Sequence, residues 1–186
     1  MKQYLIGLLF WSLAIYSGST GCYSYQMSNK CVHAIYLNRD SVLYYFNKWT
    51  ILTRGDDTKG YIVQIYDEKG YQQFSFDRAN KNDFFELNET SLFYVTNDTT
   101  HKLNFSNEEK NEVKQSFEKR FSYMQRFKIA GVNSDFANLG VNLTIYACDG
   151  VEIDYIADSS KVTNVEWAKY IKSLRSLGAN WFYKPN

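Results

Sequence analysis

The stretch that decides the fold runs from residue 61 to residue 77: YIVQIYD at 61–67, the connector Glu68-Lys69-Gly70, then YQQFSFD at 71–77. Both runs are rich in β-branched and aromatic side chains, which pack well on a pleated surface. In the second run Tyr71, Gln73, Ser75 and Asp77 alternate with Gln72, Phe74 and Phe76. That period of two sets one face against a core and the other toward water. Gly70 stands where a left-handed turn residue is needed, a conformation glycine takes without a Cβ clash. The segment reads as a β-hairpin, and an antiparallel sheet is expected around it.

Working outward, residues 41–46 (SVLYYF) and 49–54 (WTILTR) flank Asn47-Lys48, the spacing of a two-residue hairpin with Lys in place of the usual Gly. Residues 92–96 and 102–105 make a weaker hairpin. Residues 142–148 and 151–157 flank Asp149-Gly150, the best turn signal in the chain. Ser106-Asn107-Glu108-Glu109 is a capping box, in which the Ser hydroxyl caps early amides and Glu109 reaches back. It opens a helix to about residue 124, with Val113, Phe117, Phe121 and Met124 on one face. A second box, Thr163-Asn164-Val165-Glu166, opens a helix with Val165, Ala168, Ile171, Leu174 and Leu177 as its apolar positions and Gly178 at its end. Trp181-Phe182-Tyr183 completes the set as a last strand. The class expected is α+β: an antiparallel sheet of hairpins with two α-helices, at about 107–124 and 164–177, packed on one face.

Of the 186 residues 45% are hydrophobic and 18% aromatic, enough for a real core. No linker, repeat or low-complexity block divides the chain. Residues 1–21 read as a signal peptide and 22–186 as a single exported domain. Lys2 supplies the positive start, and residues 4–16 (YLIGLLFWSLAIY) form an apolar run well short of the ~20 residues a membrane-spanning helix needs. Ser17-Gly18-Ser19-Thr20-Gly21 then offers the small residues a signal peptidase requires. Removing residues 1–21 removes only Lys2, so 21 basic against 20 acidic residues become 20 against 20. That balance argues against nucleic acid as a partner.

A cysteine directly after this small-residue run resembles the lipobox of bacterial lipoproteins. The resemblance covers the first 22 residues alone. Thr20 and Gly21 fit the two positions before the Cys, while Ser19 stands where Leu is usual. It implies a lipid on Cys22, anchorage to a membrane and a place in the bacterial cell envelope. Ser19 and Gly21 also satisfy an ordinary signal peptidase at the same bond, which would make the domain secreted. The chain has three cysteines, Cys22, Cys31 and Cys148. With Cys22 lipidated, Cys31 and Cys148 remain as a pair that an oxidising compartment would bridge. That bridge would close a loop longer than about 100 residues, worth on the order of 4 kcal/mol. A local Cys22–Cys31 bridge with Cys148 buried and free is the alternative.

Chemical motifs are sparse. His33 and His101 lie in no metal or catalytic spacing, and no nucleophile elbow, P-loop or dinucleotide fingerprint occurs, so no cofactor or metal is implied. Asp149, Glu152, Asp154 and Asp158 form an acidic cluster on the late hairpin. Glu152 and Asp154, two apart on a strand, share a face and could act as a general acid/base pair or a weak Ca²⁺ site, although carboxylates there more often solvate a hairpin. Lys169, Lys172 and Arg175 make a basic stripe on the last helix, opposite Ile171 and Leu174, which could face anionic headgroups although such a stripe is more often a solvent face. Tyr44, Tyr45, Trp49, Tyr61, Tyr66 and Tyr71 would form a binding platform if gathered on one surface. Four N-x-S/T sequons, at Asn88, Asn97, Asn104 and Asn142, compare with roughly two expected by chance. The expectation is a non-enzymatic binding or structural module, anchored through Cys22 and engaging a protein partner. The alternative is a small secreted hydrolase using a carboxylate pair.

Overall fold

The computed structural model describes residues 30–55, 59–79, 85–96, 98–134 and 140–184. Residues 1–21, expected to be a signal peptide, and Cys22 lie outside the described residues. Helix α1 covers residues 30–37 of the described chain. It is followed by α2 (Arg39–Phe46), β1 (Trp49–Thr53), β2 (Gly60–Tyr66), β3 (Gly70–Arg78), β4 (Phe85–Thr96) and β5 (Thr100–Lys102). Then come α3 (Asn107–Phe127), β6 (Gly131–Asn133), β7 (Leu143–Tyr146), β8 (Glu152–Tyr155), α4 (Val165–Ser173), β9 (Arg175–Gly178) and β10 (Trp181–Lys184). The protein is α+β, and its ten strands form one antiparallel sheet in the order β5-β4-β3-β2-β1-β6-β7-β8-β10-β9. Two meanders are thus joined edge to edge, at Ile51↔Val132 between β1 and β6.

The 61–77 hairpin forms, with Tyr61 opposite Phe76 and Tyr66 opposite Tyr71. Its turn is made differently from expected. Gly70 is not among the glycines with positive φ. Asp67 Oδ1 instead accepts the N–H groups of Lys69 (2.8 Å) and Gly70 (2.9 Å), so the carboxylate does the turning. Glycine is needed at 70 for another reason. A Cβ there would stand 2.0 Å from the Val95 carbonyl oxygen on β4.

The register lines up Ile51, Val63, Phe74, Val132, Ile145 and Ile153 across six strands, each 0% exposed. Helix α3 closes over this face. Its capping box is present, with Glu109 N–H donating to Ser106 Oγ and Ser106 N–H to Glu109 Oε2. Phe117, Phe121 and Met124 recur at helical spacing and are buried. Phe117 stacks on Phe76 with ring centroids 4.1 Å apart, and Phe121 meets Phe85 and Tyr61 edge-on. Each large apolar side chain removed from water in this way contributes roughly 1.5–3 kcal/mol. Arg120 staples the layers: Nε donates to the Tyr45 carbonyl at 2.7 Å, Nη1 to the Ser116 carbonyl at 3.0 Å, and the guanidinium lies 3.6 Å from the Trp49 ring centroid.

Several sequence expectations need correction. The described residues contain four helices, not two. Residues 41–46 are helix α2 and not a strand. Val42 and Phe46, four apart, are its buried positions, a spacing that a strand would place on one face only with Tyr44 between them, and Tyr44 is 78% exposed. The helix expected over 164–177 ends at Ser173, because residues 175–178 turn back as β9 against β10. Gly178 (φ 98°) leads into a two-residue turn in which Ala179 and Asn180 both have positive φ, the geometry of a type I′ hairpin. The cap of α4 is Asn164, whose Oδ1 accepts from the Glu166 and Trp167 amides. The Asp149-Gly150 hairpin exists, but its connection is a 3₁₀ turn at Cys148–Gly150. The third hairpin pairs β4 with β5 at Thr100–Lys102, starting two residues earlier than expected.

Candidate functional site

One residue along each strand from the apolar row lies the opposite face of the sheet, and its centre is polar and buried. Thr50, Asn133, Thr144 and Asp154 occupy β1, β6, β7 and β8, with Asn133 opposite Thr144 and Thr144 opposite Asp154. None is more than 8% exposed. Thr50 Oγ1 donates to Asn133 Oδ1 at 3.0 Å and accepts the Ser134 N–H at 2.9 Å. Thr144 Oγ1 donates to Asp154 Oδ1 at 2.7 Å. Buried polar groups are tolerated only when bonded in this way.

Helix α4 lies on this face, so the two helices expected on one face cover opposite sides of the sheet. The Tyr170 hydroxyl donates to Glu152 Oε1 at 2.6 Å and to Asp154 Oδ2 at 3.2 Å. A phenol carries one proton and serves one carboxylate at a time. When Asp154 is protonated its own O–H can complete the longer contact. Burial pushes the Asp154 carboxyl up to about 6, the nearby Glu152 charge adds to this, and the bonds from Thr144 and Tyr170 oppose it. Burial, then the carboxylates, push the Tyr170 phenol well above its ordinary value, so it stays protonated. Lys184, opposite Glu152 in the register, places Nζ 5.7 Å from the Tyr170 ring centroid.

Glu152 also borders a shallow cavity of about 290 Å³ with Glu166, Trp167 and Tyr170. Asp154 does not line it. The carboxylate pair therefore converges on a tyrosine hydroxyl and not on an open pocket. The other two members of the acidic cluster do not join it. Asp158 is exposed and caps a 3₁₀ turn, accepting from the Ser160 amide (3.0 Å) and hydroxyl (2.6 Å), bonds that hold its carboxyl below the usual range. Asp149 lies in the 3₁₀ turn after β7, and its side chain is outside those described. Among the described residues no group of three or more His, Cys, Asp or Glu side chains could hold a metal ion.

The remaining expectations divide. Cys31 and Cys148 come to disulfide distance, their Cα atoms 6.5 Å apart across 117 residues of sequence. The basic stripe is broken, since Arg175 belongs to β9. The aromatic platform is split between the two faces: Trp49 and Tyr61 are buried in the core, while Tyr66 and Tyr71 pair on the other side at 5.3 Å. Tyr170 and Thr144, which define the site, were invisible in the sequence reading. The signal available was a tyrosine at the centre of the helix expected over 164–177. Among the described residues no helix is long and apolar enough to cross a membrane. No family model matches the chain, and neither a curated protein nor a solved structure matches it significantly.

Proposed function

We propose that the chain is an exported protein of the bacterial cell envelope, anchored by a lipid on Cys22, and that it works as a non-enzymatic binding or structural module with a protein partner. The observation that carries this reading is the thiol count. With Cys31 and Cys148 paired, Cys22 is the one cysteine left of three, and it directly follows an apolar run and five small residues. The hydrolase alternative draws less support. Glu152 and Asp154 spend their acceptors on Tyr170 and Thr144, and a carboxylate pair so engaged braces α4 against β8.

Intact-mass spectrometry of the protein isolated from its native membrane tests the reading. The expected product begins at Cys22, carries a diacyl or triacyl modification, and gains the two hydrogens of one S–S bond on reduction. An unmodified Cys22, or a chain still beginning at Met1, would overturn the anchor.

A further inference from the structure

The second cavity of the domain, about 330 Å³, lies where α1, the end of α3 and the turn after β7 meet. Its walls include Lys30, Ala34, Arg126, Phe127, Lys128 and the Cys31–Cys148 pair. Three of these carry positive charge. Among the described residues no ion pair involves any of them, the pairs present being Arg54–Asp77, Lys110–Glu89, Lys114–Glu118 and Lys169–Glu166. The macrodipole of α3 favours cations at its C-terminal end and so accounts for Arg126 and Lys128. It does not account for Lys30, which reaches the same cavity from another helix. Against 20 basic and 20 acidic residues after residue 21, three cations at one opening with no ion pair among the described residues are a local excess.

Two further features indicate what this opening faces. Lys30, Ala34 and Leu37 recur at helical spacing and share one side of α1. Leu37 is 63% exposed, an apolar side chain two turns along α1 from Lys30. The position of the anchor is the second feature. From residue 22 to residue 30 an extended chain spans at most about 3.5 Å per residue, so Lys30 lies within about 28 Å of a lipid on Cys22.

We propose that this basic opening is the face the domain lays on the membrane, with Lys30, Arg126 and Lys128 receiving the phosphates of anionic phospholipid headgroups. The proposal rests on the anchored reading above for its geometry, and its chemistry is testable without the anchor. A basic patch beside a lipid anchor adds electrostatic attraction to anionic headgroups, about 1 kcal/mol for each Lys or Arg near the surface, and so selects which face of the protein lies on the bilayer.

The test uses the processed chain, residues 22–186, carrying Cys22→Ser. Every described element lies within residues 30–184. The protein is sedimented with phosphatidylglycerol/phosphatidylcholine vesicles, with phosphatidylcholine vesicles, and with the anionic vesicles in the presence of inorganic phosphate. Binding to the anionic vesicles alone is expected. The triple variant Lys30→Glu/Arg126→Glu/Lys128→Glu should lower it at least about 100-fold, since each basic group lost beside an anionic bilayer removes roughly a fivefold factor and the carboxylates add repulsion. Lys169→Glu/Lys172→Glu on α4 should leave it unchanged. If the triple variant fails to fold, Lys30→Gln/Lys128→Gln should still lower binding at least about tenfold. Equal binding by wild type and either cavity variant would overturn the proposal, as would equal binding to phosphatidylcholine. Phosphate binding without vesicle binding would make the opening a site for a free anion and overturn it too. The mass of native Cys22 decides the anchor separately, so the two failures are distinguishable.

Discussion

Tyr170 on α4 and Glu152 on β8 are joined by a 2.6 Å hydrogen bond, and the same hydroxyl lies 3.2 Å from buried Asp154. This contact fastens the helix to the polar side of the sheet. Tyr170→Phe should therefore cost about 1–3 kcal/mol, the price of leaving buried acceptors unpaired. Urea unfolding at pH 7 measures it. A midpoint equal to that of wild type would show that α4 is held by something else.

The buried carboxyl makes a pH prediction. Asp154 has its folded-state value raised from 3.8 to about 6. A raised acid binds its proton more tightly in the folded chain, so its contribution is fully present below about pH 4 and is lost as pH rises through 6. The loss amounts to roughly 2–3 kcal/mol over that window. Asp154→Asn, which keeps the acceptor for Thr144, should remove this slope. The difference in unfolding free energy between variant and wild type should move in favour of the variant from pH 4 to pH 7. A pH-independent difference would mean that folding does not raise the Asp154 carboxyl.

The Cys31–Cys148 pair spans 117 residues of sequence and ties α1 to the turn after β7. Cys31→Ser/Cys148→Ser should lower stability by about 2–5 kcal/mol. Calorimetry of the double variant against the oxidised parent measures this, and reduction of the parent should reproduce the variant's Tm.

Arg120 donates from Nε to the Tyr45 carbonyl and from Nη1 to the Ser116 carbonyl and hydroxyl, lies over Trp49, and makes no ion pair among the described residues. Its value therefore rests on the planar fork, which lysine lacks. Arg120→Lys keeps the charge and should still cost about 1–2 kcal/mol, with an altered near-ultraviolet signal from Trp49. Retention of full stability would show that charge alone suffices.

Legibility in the sequence followed the range of the interaction concerned. The 61–77 hairpin and helix α3 were readable because alternation, a capping box and an i, i+4 row of Phe117 and Phe121 are local patterns. Residues 41–46 misled because Val, Leu, Tyr and Phe suit strands, yet packing of Phe46 against Tyr123 of α3 selects a helix. The spacing of Leu177 from Leu174 suits a helix. The pairing of Arg175 and Ser176 with β10 decided otherwise. The Glu152–Asp154 pair was legible as two carboxylates on one strand face. That they meet a tyrosine was not, since Tyr170 comes from an element 16 to 18 residues further along the chain.

Local patterns sufficed for the 61–77 hairpin, the amphipathic α3 and the cysteine pairing options, because each is written in neighbouring residues or in a count. The tertiary structure decided what distant segments do to one another. It joined β1 to β6, set α4 on the opposite face from α3, and turned an apparent acid pair into a brace. The physical reason is that an amphipathic pattern states which side of an element is buried, whereas the surface it is buried against is chosen by the whole chain. Hairpin 61–77 shows both halves of this: its strands are local, while the need for glycine at residue 70 comes from the carbonyl of Val95 on the next strand.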